Sequence, residues 1–328
     1  MSVNASFTYP YIGKGRPQVL LVGNGLERLS GQMSWENLMN ELKYSDSFPL
    51  TEEQKQTIPF PLLYQLLTTH YPVISSLDDK MILDEERRLK KFMLLLEHKT
   101  NSCLDILPSL KADHIMTTNY TYGLEKAFFT NANFMNDKTR SRYRFCLKSN
   151  VKDDKTTREV NYRIHTGYLA KSEDRNTGLW HIHGECSVPR GIVLGHDRYG
   201  RIFERIIHAC NKIEYKNMQG INLDRQFTAW PELFLFGDVY ILGLSLGENE
   251  FDLLWLLRRK QRERYADGKV YFYEQRPKGG FTEIRHLLLQ SMGVILCDAG
   301  FTGRANEYEQ FYMAALEDIK CKIAASRE

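Results

Sequence analysis

Residues 18–25 read QVLLVGNG. A short, unbroken run of aliphatic and β-branched residues reads as a strand buried on both faces, and the Gly-x-Gly that ends it turns the chain tightly. The unit returns as ADHIMTTNY at 112–120, DVYILGLSLG at 238–247, KVYFYEQ at 269–275 and GVILCDAG at 293–300. Segments with helical spacing lie between these runs, among them WENLMNELK at 35–43 and FDLLWLLRRKQ at 251–261. Strands alternating with helices predict a parallel sheet covered by helices rather than a barrel of hairpins.

The expected class is therefore α/β: a Rossmann-like, mostly parallel sheet in one domain over residues 1–328, carrying two insertions. The first, about 35–108, is helical: Ser34 is placed to cap a helix whose apolar members are Trp35, Leu38, Met39 and Leu42, and EERRLKK feeds FMLLLEH further on. The second, about 134–179, is rich in Lys, Arg, Asp and Tyr, and its alternating pieces RYRFCLK and VNYRIHTGYLA predict a charged, solvent-facing β-hairpin. A helix is expected from about 201 to 216, and another closes the chain.

Composition narrows the function. Lys plus Arg at 44 against Asp plus Glu at 41 leaves +3, too little for a nucleic-acid surface. No apolar run approaches the roughly 20 residues that span a bilayer, and the first residues lack the plan of a signal peptide, so the expected location is the cytoplasm. The six cysteines, at 103, 146, 186, 210, 297 and 321, form no close pair. No zinc ribbon can be drawn from them, and reduced thiols without a metal are the expectation.

Four segments stand where such a sheet holds ligands, at the carboxyl ends of its strands. In VGNGLER, Gly23, Asn24 and Gly25 could bring backbone close to a phosphate, although Arg28 occupies the third glycine position of the dinucleotide fingerprint; a plain turn fits as well. In TTNYTYGLE, Thr118 and Asn119 could meet a ribose or a water, or Asn119 could simply cap the next helix. HIHGECS at 181–187 offers two histidines, which in an extended segment point to one side as metal ligands would. In LGLSLGENE, Gly243 and Ser245 could lie under a phosphate or ribose, and Glu248 and Glu250 could merely compensate a helix dipole.

The order of the four is more specific than any one. GNG, then TTNY, then HIHG followed by an apolar run and Asp197, then GLSL with acidic residues, resembles the sirtuin-like superfamily. The pattern is similar above all to its zinc-free bacterial branch, the NAD-hydrolysing effectors of anti-phage defence, and to the related abortive-infection H family. The resemblance runs as short motifs over about residues 18–300. It implies that Asn119 and His183 are the catalytic asparagine and histidine. It implies that Gly23, Asn24 and Gly25 form the first phosphate-binding turn, and that Thr118, Gly243 and Ser245 lie by the cofactor. Asn24 stands where Ala is usual, Thr121 where many members carry Asp, and Glu248 and Glu250 where many have Asp.

Protein-deacylating sirtuins hold a structural zinc with two close cysteine pairs, which this chain lacks. The resemblance thus implies an NAD nucleosidase, with NAD as substrate and no metal. It further implies control by a regulatory protein partner or by homo-oligomerisation, for which the charged 134–179 segment and the helix LLWLLRRKQRERY are candidate contact surfaces; a solvated hairpin and a core helix are their plainer readings. Two rivals share the same residues. One is a metal-dependent hydrolase using His181, His183, His196 and Asp197. The other is a non-catalytic module that senses NAD and signals to a partner.

Overall fold

All five residues of β1 (Gln18–Val22) are buried, as a strand at the middle of a sheet must be. The computed structural model describes residues 16–45, 47–70, 79–129, 137–147, 164–172, 175–211, 227–263, 266–304 and 306–328. Seven further strands follow: β2 (His114–Thr117), β3 (Arg144–Cys146), β4 (Thr166–Lys171), β5 (Asn176–His181), β6 (Asp238–Leu242), β7 (Val270–Tyr273) and β8 (Val294–Cys297). They form one eight-stranded sheet in the order β3-β4-β5-β2-β1-β6-β7-β8. The six strands from β5 to β8 in that order run parallel, whereas β3–β4 and β4–β5 pair antiparallel.

Helices cover both faces. The first stretch supplies α1 (Asn24–Glu27), α2 (Trp35–Leu42), α3 (Glu52–Thr57), α4 (Phe60–Leu67), α5 (Asp79–Met93) and α6 (Ser102–Ile106). Then come α7 (Gly123–Phe128), α8 (Asp137–Arg140), α9 (His196–Asn211), α10 (Trp230–Phe236), α11 (Phe251–Arg262), α12 (Ile284–Ser291) and α13 (Tyr308–Ala325). Ser34 does cap α2, its hydroxyl accepting the Asn37 N–H. Alternation along β1 splits the core: Leu20 and Val22 pack with α2, α4, α6 and α13, while Val19 and Leu21 pack with α9, α10 and α11. In α11, Leu253, Leu256 and Leu257 face this second core, so the segment is a core helix in its described part. Its Lys260 is buried too, donating to the carbonyls of Phe234, Leu235 and Gly237 at the end of α10.

Two expectations are corrected. The 134–179 stretch does supply antiparallel strands, but where it is described it is not solvent-facing: β3 and β4 are the antiparallel margin of the main sheet. Because β4 lies between β3 and β5, its Gly167–Ala170 segment is buried on both faces. Residues 134–136, 148–163 and 173–174 of that stretch fall outside the described residues. The helix expected from 201 starts one turn earlier, at His196, and 212–216 also lie outside the described residues. Among the described residues, no helix is long and apolar enough to cross a membrane.

The topology fixes where a ligand can go. From β1 the chain moves to β2 on one side, and from β6 it moves to β7 on the other. Their carboxyl ends therefore diverge and open a crevice between the two loops.

Candidate active site

The loops after β1 and β6 are bonded to each other. Gly23 N–H donates to the Leu242 carbonyl and Gly25 N–H to that of Gly243, each at 2.9 Å. A Cβ at Gly23 would lie 2.3 Å from the Gly243 oxygen, and one at Gly25 would lie 2.9 Å from the Gly243 Cα. Gly243 itself has φ +73°, a region that favours glycine. These glycines thus allow two backbones to touch, and the Gly25 amide is used within the protein rather than offered to a phosphate. Asn24 donates through Nδ2 to the Met33 carbonyl at 3.2 Å and ties the turn to the segment that enters α2.

A cleft of about 300 Å³ opens over this crossing, within the size range of small-molecule sites. Of the residues singled out in the sequence, Asn24, Gly25, Thr118, His183, Gly243 and Ser245 line it. Gly23 does not: it packs behind the turn against Gly243 and Leu244. The aromatic wall of Trp35, Phe60, Tyr120 and Tyr199 comes from the helical stretch, the loop after β2 and α9. Phe60 N–H donates to Asn249 Oδ1 at 2.7 Å and fastens the helical layer to the loop after β6.

His183 is 2% exposed, and its Nε2 lies 2.9 Å from Oδ2 of Asp252, a fully buried carboxylate in the first turn of α11. The carboxylate accepts Nε2–H, which leaves the Nδ1 lone pair as the free ring position of a cleft-lining side chain. Tyr199 packs edge-on against the imidazole at 5.5 Å. The backbone is held as well: Val193 N–H donates to the His183 carbonyl at 2.8 Å, and the Tyr120 hydroxyl donates to Val193 O at 3.0 Å. Glu250 lines the same cleft, accepting a 3.4 Å bond from the Ser245 hydroxyl. Burial raises its carboxyl above the usual range, with the nearby His183 opposing.

The two histidines of HIHG do not act as a pair. β5 ends at His181 and the chain turns at Ile182 and His183, so the extended geometry that would aim both rings one way is lost. His181 donates through Nδ1–H to the Asn119 carbonyl at 2.7 Å and through Nε2–H to Glu125 Oε1 at 2.8 Å. Burial disfavours its charge, but the Glu125 carboxylate outweighs that and carries the imidazole up to about 9. Both ring nitrogens are thereby occupied by protein. Among the described residues, no group of three or more His, Cys, Asp or Glu side chains is arranged to hold a metal.

Asn119 is 5% exposed and opens on a smaller cavity of about 40 Å³ that shares Asn24, Trp35 and Tyr120 with the main cleft. Beneath it lies Glu27, 2% exposed, which accepts the Thr121 hydroxyl. Burial pushes the Glu27 carboxyl up to about 7, while the Thr121 hydroxyl and the Asn119 side chain pull the other way. Thr121 therefore serves Glu27. Sequence reasoning missed Asp252, Glu27 and Glu125, because an acid in the first turn of a helix reads as dipole compensation. Only Asp252 carried a signal, standing between Phe251 and Leu253 in an otherwise apolar helix start; Glu27 and Glu125, next to Arg28 and Lys126, carried none.

The sequence matches the SIR2-like domain over residues 113–297, more than half of the chain. The chain belongs to the SIR2-like family. The SIR2-like match spans β2 to β8 and so takes in Asn119, His183, Gly243, Ser245 and Asp252, whereas β1 and its glycine turn precede it. SIR2-like domains bind NAD and sit in a superfamily that includes NAD-dependent enzymes. No curated protein matches the chain.

Proposed function

We propose that the chain is an NAD glycohydrolase, cleaving the bond between nicotinamide and ribose to give nicotinamide and ADP-ribose or a cyclic form. The observation that carries this reading is the His183–Asp252 pair at the cleft wall, 2.9 Å apart, with Nδ1 left for substrate. As the C1′–N bond breaks, its electrons neutralise the nicotinamide ring, so no acid is needed for departure. Positive charge builds on the ribose, as in other glycosidic cleavages. His183 Nδ1 takes the proton of the attacking water or of a ribose hydroxyl, and Asp252 stabilises the imidazolium that forms. Asn119, whose amide both donates and accepts, orients that hydroxyl or water from the adjoining cavity. His181 holds Asn119 in place through its backbone.

The biological reading is a regulated anti-phage effector of the abortive-infection kind that depletes cytoplasmic NAD. A hydrolase of this sort would harm its own cell, so the proposal includes a switch, either a partner subunit or self-assembly. The test is to incubate the purified chain with NAD, with and without candidate activators, and follow free nicotinamide. His183→Ala and Asn119→Ala, folded by circular dichroism, are expected to lose release. Either variant working at the parent rate refutes its catalytic assignment. NAD binding without release in every condition would favour a sensing module.

A further inference from the structure

We propose that Arg28 is the anion-holding residue of the cleft, its guanidinium taking the diphosphate of the bound dinucleotide. This rests on the NAD reading of the site. Arg28 lines the cleft beside Asn24 and Gly25 and is the sole Arg or Lys among its lining residues. It is exposed, and among the described residues no ion pair or side-chain hydrogen bond occupies it. Several other arginines are spent on carboxylates, among them Arg144 on Glu185, Arg198 on Glu85 and Arg285 on Glu274.

The glycine turn does not supply the charge that a diphosphate needs. The amides of Gly23 and Gly25 are bonded to the Leu242 and Gly243 carbonyls, and α1 is only four residues long, so its dipole is slight. The cation has to come from a side chain. Arg28 is the residue that replaces the last glycine of the dinucleotide fingerprint, one turn into the same segment. A planar guanidinium suits paired phosphate oxygens better than a point charge does. The polarity of the cleft fits the substrate as well. NAD is anionic at its diphosphate and cationic at its nicotinamide ring, and the cleft lining holds both the cation Arg28 and the acid Glu250.

The test measures binding of ADP-ribose and of adenosine, which lacks the diphosphate, to the full chain by calorimetry. Arg28→Ala is expected to weaken ADP-ribose about tenfold or more and leave adenosine unchanged, with Arg28→Lys between the two. Raising salt should weaken ADP-ribose binding to the parent and act less on Arg28→Ala. A variant that binds ADP-ribose like the parent overturns the Arg28 assignment alone. So does an equal loss of adenosine, which would mean that Arg28 shapes the cleft. A parent chain that binds neither NAD nor ADP-ribose takes down the NAD reading, and this inference with it.

Discussion

Asp252→Asn separates the charge behind His183 from the shape that holds it. The substitution is isosteric, and the Asn carbonyl oxygen can still accept Nε2–H over the present 2.9 Å. The tautomer with Nδ1 free is therefore kept, and what goes is the negative charge. For folding, a charge-assisted hydrogen bond of about 1.5–3 kcal/mol is weakened, but the cost of burying a carboxylate is recovered. The net loss should be about 1–2 kcal/mol, leaving a folded protein. For catalysis, the carboxylate counters an imidazolium that exists only once the proton has moved. At an effective dielectric of about 20 that contact is worth about 3–4 kcal/mol, or a rate loss of about 10² to 10³. The assay is nicotinamide release under the conditions that activate the parent, with thermal unfolding alongside and ¹⁵N shifts of the ring to read the tautomer. A folded Asp252→Asn chain that keeps the Nδ1-free tautomer and works within about threefold of the parent would falsify the role given to Asp252.

Stability should fall with rising pH in a window set by His181. Its pKa is about 9 in the fold against 6.5 when exposed, so the folded state binds the extra proton between those values. That contribution is complete below 6.5 and lost through pH 9; it is of order 3 kcal/mol. Denaturation midpoints at pH values across this window should drop in the parent and stay flat in His181→Gln. Glu27, raised from 4.5 to about 7, adds a loss of the same sign in the lower window; Glu27→Gln should remove it, and a persisting slope there would point to other carboxyls. Gly23→Ala sets a Cβ 2.3 Å from a backbone oxygen and should cost about 2–4 kcal/mol. Gly200→Ala, with open space around it in α9, should stabilise by about 0.5–1 kcal/mol. The two unfolding curves test whether the glycine turn is a packing device.

The parallel strands were legible where burial on both faces left uninterrupted apolar runs, as in β1, β6 and β7; β8, at the sheet edge with Ile295 exposed, kept an apolar run all the same. β5, Asn176–His181, was not, because Asn, Thr and Gly fill half of it and its burial comes from its neighbours β2 and β4. α10 gave no period either. All seven of its residues are buried, so no polar face marks its turns. The charged stretch misled because its Lys, Arg and Asp residues dominate its composition, while its buried part in the sheet centres on the short Gly-Tyr-Leu-Ala run of β4.

The candidate site divides along the same physical line. Residues that meet the cleft directly stand at strand ends and were visible one by one: Asn24, Thr118, His183, Gly243 and Ser245. What orients them comes from far away in the chain. Asp252 is 69 positions from His183, Glu125 is 56 from His181, and Glu27 is 94 from Thr121. A buried acid is tolerable only with such a partner. Each of these carboxylates therefore signals a contact across the sheet, although its own segment shows only an acid at a helix start. The arrangement gives the two candidate catalytic side chains different supports. His183 is backed by a carboxylate on its ring, which can stabilise charge there as the proton moves, whereas Asn119 is held by an imidazolium on its backbone carbonyl, which can only place it. Loss of Asp252 should accordingly lower turnover at constant substrate affinity, and loss of His181 should shift both together as Asn119 moves.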